Sequence, residues 1–224
     1  MESAILLGAF LLLAALAVLP AARADDATET LHALFDAEWE RYLRERPESA
    51  SRLGDRRFDD RWTDRSFAAL EASHAADQRD LETLRAIDFD ALSEADQLNY
   101  RLFERRLAER VERYGYRDWL MPVSHRGGVQ TLDELGNRIR MSTVRDHENW
   151  LARLEALPAY LDQIRTLMER GIAEGHVRPR VLMERVPRQL RRQIVDDPED
   201  SLFFARFAEP PATVPFADAQ RLRT

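Results

Sequence analysis

Two residue types are absent from this chain: its 224 residues include no cysteine and no lysine. Without cysteine the chain has no disulfide framework and no attachment site for the acyl chain of a lipoprotein. Without lysine it has no Schiff-base or lysine-nucleophile chemistry. All 33 basic residues are arginine, which the codon usage of a GC-rich genome explains most simply.

A surplus of positive charge is also missing. The formal net charge is −7 and the isoelectric point is about 5.4. A protein that binds the backbone of a nucleic acid needs a basic face. The composition therefore argues against nucleic acid as a partner.

Several catalytic motifs are absent as well. The sequence contains no phosphate loop, no dinucleotide fingerprint and no Gly-x-Ser-x-Gly turn. Acidic clusters at Asp59–Asp64 and Asp196–Asp200 do not have the spacing of an EF-hand loop, so we interpret them as helix caps and turns. The residues alone reveal no catalytic set.

The longest apolar run lies near the N-terminus, at Ala4–Pro20, and is followed by the small-x-small sequence Ala22-Arg23-Ala24. This order is typical of a secretory signal peptide, and we predict cleavage between Ala24 and Asp25. Residues 1–24 are then the signal peptide, and the mature chain is periplasmic or secreted. The run is short for a membrane span of ~20 residues, so we expect no stable span after processing. Glu2 stands where a signal peptide is normally basic, which leaves a misplaced start codon or an uncleaved anchor as alternatives.

Helical periodicity dominates the remaining sequence. The spacing of apolar residues predicts helices over Thr28–Arg46 and Ser66–Ile87, a third opened by Ser93, and a fourth opened by Thr143. Further boundaries are predicted at Pro158, which bends or restarts a helix, at Gly175, which ends one, and at Pro179, which opens a last long helix with a kink at Pro187. No run with strand periodicity is long enough to assign. The fold is predicted to be mainly α, a multi-helix array.

The stretch MPVSHRGGVQTL, residues 121–132, interrupts this helical pattern with a proline and a glycine pair. We predict a non-helical crossing between helices. Gly127 and Gly128 would allow close approach to the backbone because they lack Cβ. As candidate substrate-binding residues, Gly127, Gly128 and Gln130 could hold a peptide at an extended edge. The alternative is a crossover that only needs glycine dihedral angles.

The sequence HENWL, His147–Leu151, begins like the helical zinc motif His-Glu-x-x-His, but Leu151 replaces the second histidine. A two-histidine zinc site needs both rings one turn apart on the same side of the helix. We therefore interpret His147 and Glu148 as a surface pair on a core helix and predict no metal ligand in this chain.

Four segments together resemble successive blocks of the bacterial family DUF885: Arg46–Ser66, Leu92–Leu107, Asn149–Glu184 and Asp197–Phe207. The resemblance runs from about Thr28 to the C-terminus. It implies a longer, exported or lipid-anchored, helical protein that resembles gluzincin zinc peptidases. Its implied zinc site is a His-Glu-x-x-Pro-Gly-His-His helix in the C-terminal half. No residue of this chain corresponds to those ligands.

The resemblance therefore implies that residues 25–224 are the N-terminal helical part of a larger zinc-peptidase-like fold. The sequence after Pro215 begins a helix with no completed apolar stripe, which we interpret as truncation. We expect a part of a substrate cleft that is inactive alone, with zinc held only by the full-length family. Its partner is then the missing C-terminal half, a second copy or a peptide. The alternatives are a free-standing helical binding or scaffold protein and one half of a split peptidase.

Overall fold

The computed structural model describes residues 2–223, with side chains from Arg23 onward. The side chains of the predicted signal sequence lie outside this description. Most of the chain is helical, and no strand is assigned within residues 2–223. The α-helices are α1 Glu2–Glu45, α2 Pro47–Leu53, α3 Phe67–Ala86, α4 Glu94–Gly115, α5 Asp133–Arg138, α6 Val144–Glu155, α7 Leu157–Glu174, α8 Arg180–Met183, α9 Val186–Arg191, α10 Ala205–Ala208 and α11 Phe216–Arg221. The prediction of a mainly α fold is confirmed.

The chain divides into two compact units. The first unit comprises Met1–Glu40 with Ala72–Gly115, and the second comprises Arg41–Glu71 with Tyr116–Thr224. The core of the first unit is built from α1, α3 and α4, where Leu31, Leu84 and Leu107 are fully buried. The core of the second unit is centred on Trp150, which is 1% exposed. Each unit therefore has its own apolar centre.

Local sequence signals set several helix ends. Pro47 stands in the first turn of α2, and Ser93 Oγ accepts a hydrogen bond from the Asp96 amide at the start of α4. Thr143 and Asp146 form a capping box at the start of α6. Gly175 ends α7 in the left-handed conformation, with φ 78°. These boundaries confirm the predictions because a cap depends on residues within one turn of it.

Other predictions were wrong. Residues 180–191 form two short helices, α8 and α9, in place of one long kinked helix. The apolar spacing of Leu98, Leu102 and Leu107 predicts that all three lie on the buried stripe of α4. In the structure Leu98 and Leu102 are 59% and 61% exposed, while Tyr100 and Phe103 are buried. By contrast, α11 has no buried residue, which agrees with the incomplete apolar stripe predicted after Pro215, while Leu222 directly after it is 6% exposed and belongs to the core of the second unit.

Among the described residues, no helix combines the length and the apolar character that crossing a membrane requires.

Candidate functional site: an arginine-lined cleft

A cleft of about 400 Å³ opens in the second unit, a volume in the range of small-molecule sites. Its walls come from α2, from the turn that follows Trp62, from Gly128–Leu132 with α5, and from α7. Four arginines lie among its lining residues, Arg46, Arg52, Arg65 and Arg138. We call this feature the Arg cleft.

Two stacked aromatic rings form one wall of the Arg cleft. Trp62 and Tyr160 are 8% and 9% exposed, and their ring centroids lie 5.5 Å apart. Trp62 Nε1 donates a hydrogen bond of 2.6 Å to the carbonyl oxygen of Arg153, so the indole satisfies its polar atom inside the core. Burial raises the pKa of Tyr160.

This wall is supported from behind by Arg153, whose side chain is completely buried. Its guanidinium lies 5.3 Å from the Trp62 ring and donates hydrogen bonds to the Arg61 and Phe58 carbonyl oxygens, both at 2.9 Å, and to Ser51 Oγ at 3.0 Å. Burial lowers the pKa of Arg153, yet an arginine keeps its charge at neutral pH. Arg153 therefore ties α6 to α2 and to the turn that carries Trp62.

The floor of the cleft is fixed by Glu48 on α2. Its carboxylate accepts hydrogen bonds from the Thr63 amide at 3.1 Å and from Thr63 Oγ1 at 2.5 Å. The Arg65 amide donates to Gln163 Oε1 on α7 at 2.8 Å. These contacts hold residues 63–65 between α2 and α7. Both carboxylate oxygens of Glu48 accept a hydrogen bond from Thr63.

Three guanidinium groups of the Arg cleft are not neutralised by the protein. Arg138 pairs with Glu134 at 2.6 Å, but within residues 23–223 no carboxylate lies within ion-pair distance of Arg46, Arg52 or Arg65. Arg46 and Arg52 are exposed, and Arg46 lies 4.9 Å from the Tyr42 ring. Arg65 is half-buried. The cleft therefore presents a concentration of positive charge in an acidic protein.

None of these arginines was predicted from the sequence to belong to a binding site. Glu48 precedes Arg52 by four residues, a spacing that normally indicates a pair on one helix face. In the structure Thr63 takes that carboxylate instead. Because Thr63 comes from a separate turn, no local signal in the sequence distinguishes Arg52 from an ordinary surface arginine.

The segment at residues 121–132 contributes Gly128 to the Arg cleft and is compact rather than extended. Ser124 and Gly127 form an isolated antiparallel bridge, and Val129–Thr131 is a turn of 3₁₀ helix. Gly128 has φ 143°, and a Cβ there would lie 2.9 Å from Gln130 Oε1. The predicted non-helical crossing is present, and its backbone conformation requires glycine at position 128.

Gln130 lies under this turn and is 5% exposed. Its Nε2 donates to the Ser124 carbonyl oxygen at 2.6 Å, while the side chains of Gln189 on α9 and of Gln193 just after α9 donate to the carbonyl oxygens of His125 and Gln130. The main-chain oxygens that strand addition would use are thus already acceptors. Gly127, Gly128 and Gln130 lie together in this turn, and their role in substrate binding stays a prediction.

His147 lies in the core of the second unit, so its interpretation as a surface residue was wrong. It is 1% exposed, and its Nδ1 lies 2.9 Å from the Thr143 carbonyl oxygen. Glu148 is exposed and pairs with Arg221 at 2.8 Å. The two side chains face different surroundings because consecutive helix residues point about 100° apart.

The described side chains do not fit a zinc site. In that part of the chain no group of three or more His, Cys, Asp or Glu residues is placed to hold a metal ion. The zinc that the family resemblance implies would need ligands other than the described side chains.

Comparison with known proteins assigns the chain to a family. No curated protein matches this sequence. The sequence model of the family described as "Bacterial protein of unknown function (DUF885)" matches residues 47–224, which is most of the chain and includes the whole lining of the Arg cleft except Arg46. The chain is a member of the DUF885 family.

Proposed function

We propose that this chain supplies a peptide-binding cleft to a zinc-peptidase-like protein of the DUF885 family and carries no catalytic metal site of its own. The observation that supports this proposal most directly is the Arg cleft, with its buried aromatic wall, its volume of about 400 Å³ and its unneutralised arginines. A peptide offers both apolar side chains and acceptor groups to such a surface.

The arrangement favours side-chain recognition over strand addition. The carbonyl oxygens of Ser124, His125 and Gly127 already accept hydrogen bonds within the protein. The Trp62–Tyr160 wall and the guanidinium groups are by contrast available to a ligand in the cleft. We therefore expect affinity to depend on the ligand's side chains and charged groups.

Peptide binding is tested with a neutral blocked peptide, acetyl-Ala-Phe-Ala-Ala-amide, followed through tryptophan fluorescence because Trp62 and Trp119 line the cleft. We expect a saturable change that Ser49→Phe abolishes, since Ser49 lines the cleft and the larger ring fills it. The matched control is Ala173→Phe, at an exposed position of α7. Equal responses in both variants, or no saturable response, would refute the proposal.

Export is part of the proposal and follows from the apolar run at Ala4–Pro20. The described core residues of the first unit begin at Ala27, which is 7% exposed, so cleavage before Asp25 removes none of them. It removes one exposed ion pair, between Arg23 and Asp88. Mass spectrometry of protein from the periplasm or the medium should find an N-terminus at Asp25. An intact Met1 would favour a membrane anchor.

A second candidate function is a helical binding or scaffold protein. An apolar groove of about 190 Å³ in the second unit is lined by Met168, Ile172, Val177 and Met183. Ile172 and Val177 are 67% and 58% exposed, and Val181 nearby is 68% exposed. Contiguous exposed apolar residues commonly mark a protein contact. Sedimentation that shows a dimer in the native chain and a monomer in Ile172→Ser would favour this function.

A further inference from the structure

The charge of the Arg cleft is opposite to that of the protein. Four arginines and two glutamates line it, whereas the whole chain has a net charge of −7. Both glutamates already have partners in the protein: Glu48 accepts a hydrogen bond from Thr63, and Glu134 forms an ion pair with Arg138. Clustered like charges repel one another, so Arg46, Arg52 and Arg65 around one cavity are stabilised by an anion that enters it.

The chemistry of the walls narrows the class of anion. A guanidinium group presents two parallel N–H donors that match the two oxygens of a planar carboxylate. The stacked rings of Trp62 and Tyr160, together with Ile164, give the same cleft an apolar side. The negative charges of Glu48 and Glu134 make binding of a dianion less favourable than binding of a monoanion. These features favour a single carboxylate attached to an apolar group over inorganic phosphate.

We propose that the Arg cleft binds the carboxylate of an organic ligand between Arg46, Arg52 and Arg65, with the apolar part of the ligand against Trp62 and Tyr160. Where that ligand is a peptide, this inference rests on the proposed function. The carboxylate then belongs either to the free C-terminus or to an acidic side chain. The same chemistry serves both sources, and the experiment separates them.

Arg65 and Tyr160 both line the cleft, so the charged and the aromatic parts of the proposed site belong to one cavity.

The test is isothermal titration calorimetry of the full chain with four probes. N-acetylphenylalanine carries a free carboxylate, its amide is the neutral counterpart, acetyl-Phe-Asp-amide carries only a side-chain carboxylate, and inorganic phosphate is the small dianion. We expect the free acid to bind at least about tenfold more tightly than its amide, as expected for hydrogen bonds to a charged group. Tighter binding of acetyl-Phe-Asp-amide than of N-acetylphenylalanine would assign the acidic side chain as the source.

The arginines are tested by Arg46→Gln, Arg52→Gln and Arg65→Gln, each expected to lower the affinity for the acid by about tenfold and to leave the amide unchanged. Arg180→Gln is the control, because it removes the same charge from an exposed position of α8 outside the cleft. Arg46 and Arg52 are exposed, so these two variants decide the outcome if Arg65→Gln fails to fold.

Three results would overturn the inference: equal affinity for acid and amide, loss of affinity in Arg180→Gln equal to that in the cleft variants, or tighter binding of phosphate than of the acid. If the blocked peptide acetyl-Ala-Phe-Ala-Ala-amide still binds in those cases, the proposed function stands without the carboxylate site. If the acids bind and the blocked peptide does not, the carboxylate site stands and peptide binding fails.

Discussion

Each unit contains a cluster of charged side chains, and the two clusters differ in whether the arginines have acidic partners inside the protein. In the first unit Arg110 donates to Glu38 at 2.5 Å and to Asp77 at 2.6 Å, and both carboxylates are buried. In the second unit Arg46, Arg52 and Arg65 surround a cavity, and the described part of the chain places no carboxylate beside them. A buried charge needs a partner inside the protein, whereas a charge facing a cavity can take its partner from solution. This difference supports the proposal that the Arg cleft binds an anion.

Arg153 is a buried arginine that supports the Trp62 wall of the Arg cleft. Of the substitutions considered, its removal should lower the free energy of unfolding the most. Arg153→Ala removes the side-chain donor to the Arg61 carbonyl oxygen and the shorter of two hydrogen bonds to the Phe58 carbonyl oxygen, and it opens a cavity behind Trp62. We expect a loss of about 4 kcal/mol in the free energy of unfolding, measured by urea denaturation.

The control is Arg145→Ala, at an exposed position of the same helix, α6, with an expected change of less than about 0.5 kcal/mol. Arg153→Met should recover part of the loss because it restores volume but no donors. A similar small change in both alanine variants would mean that Arg153 does not hold the wall of the cleft.

The ion network of the first unit offers the next largest effect. Arg110→Met removes the shortest ion pairs of the buried Glu38 and Asp77, and we expect a loss of about 3 kcal/mol in the free energy of unfolding. Arg105→Met on the same helix, α4, is the control, because its side chain is 80% exposed. If Arg110→Met costs less than about 1 kcal/mol, the first unit does not depend on internal pairing and the comparison between the units fails.

How far the sequence predicts these features depends on how far apart the partners lie in the chain. The capping box of Thr143 and Asp146, the end of α7 at Gly175 and the break before Pro47 were all predicted, because each depends on residues within one turn. The structural role of Arg153 was not predicted, because its acceptors Ser51, Phe58 and Arg61 precede it by more than ninety residues. A distant partner leaves no periodic signal in the sequence.

Prediction of the candidate site from the sequence is limited in the same way, because its residues come from distant parts of the chain. The glycine pair predicted a non-helical turn at residues 127–128, and the structure has that turn. The arginines that give the cleft its charge come from α2 and from the turn after Trp62, and no local pattern relates them to Gly128. Only the packing of α2, α5 and α7 brings these segments around one cavity.

The smallest effect expected is a pH dependence at the start of α4, in the first unit. Hydrogen bonds from His32 and Ser93 hold the pKa of Asp96 below its ordinary value. A carboxyl whose pKa is lowered by folding stabilises the protein above its unfolded pKa, about 4, and this stabilisation is lost as the pH falls through the folded value.

We therefore expect Asp96→Asn to be less stable than the native chain at pH 7 and to approach it at pH 3, measured by urea denaturation at each pH. Asp90→Asn, at an exposed position of the same unit, is the control. Stability curves for Asp96→Asn and the native chain that run parallel over this range would show that the capping interaction is not linked to the charge of Asp96.

The most direct test of the contrast between paired and unpaired arginines is NMR of the arginine Nε–Hε groups while N-acetylphenylalanine is added. Signals are assigned from the Arg→Gln variants of the cleft and from Arg110→Met. We predict saturable shifts at Arg46, Arg52 and Arg65, with Arg110 and Arg153 unmoved because their partners lie inside the protein. Equal shifts over all exposed arginines, with no saturation at the three cleft residues, would contradict the assignment of this cleft as the carboxylate site.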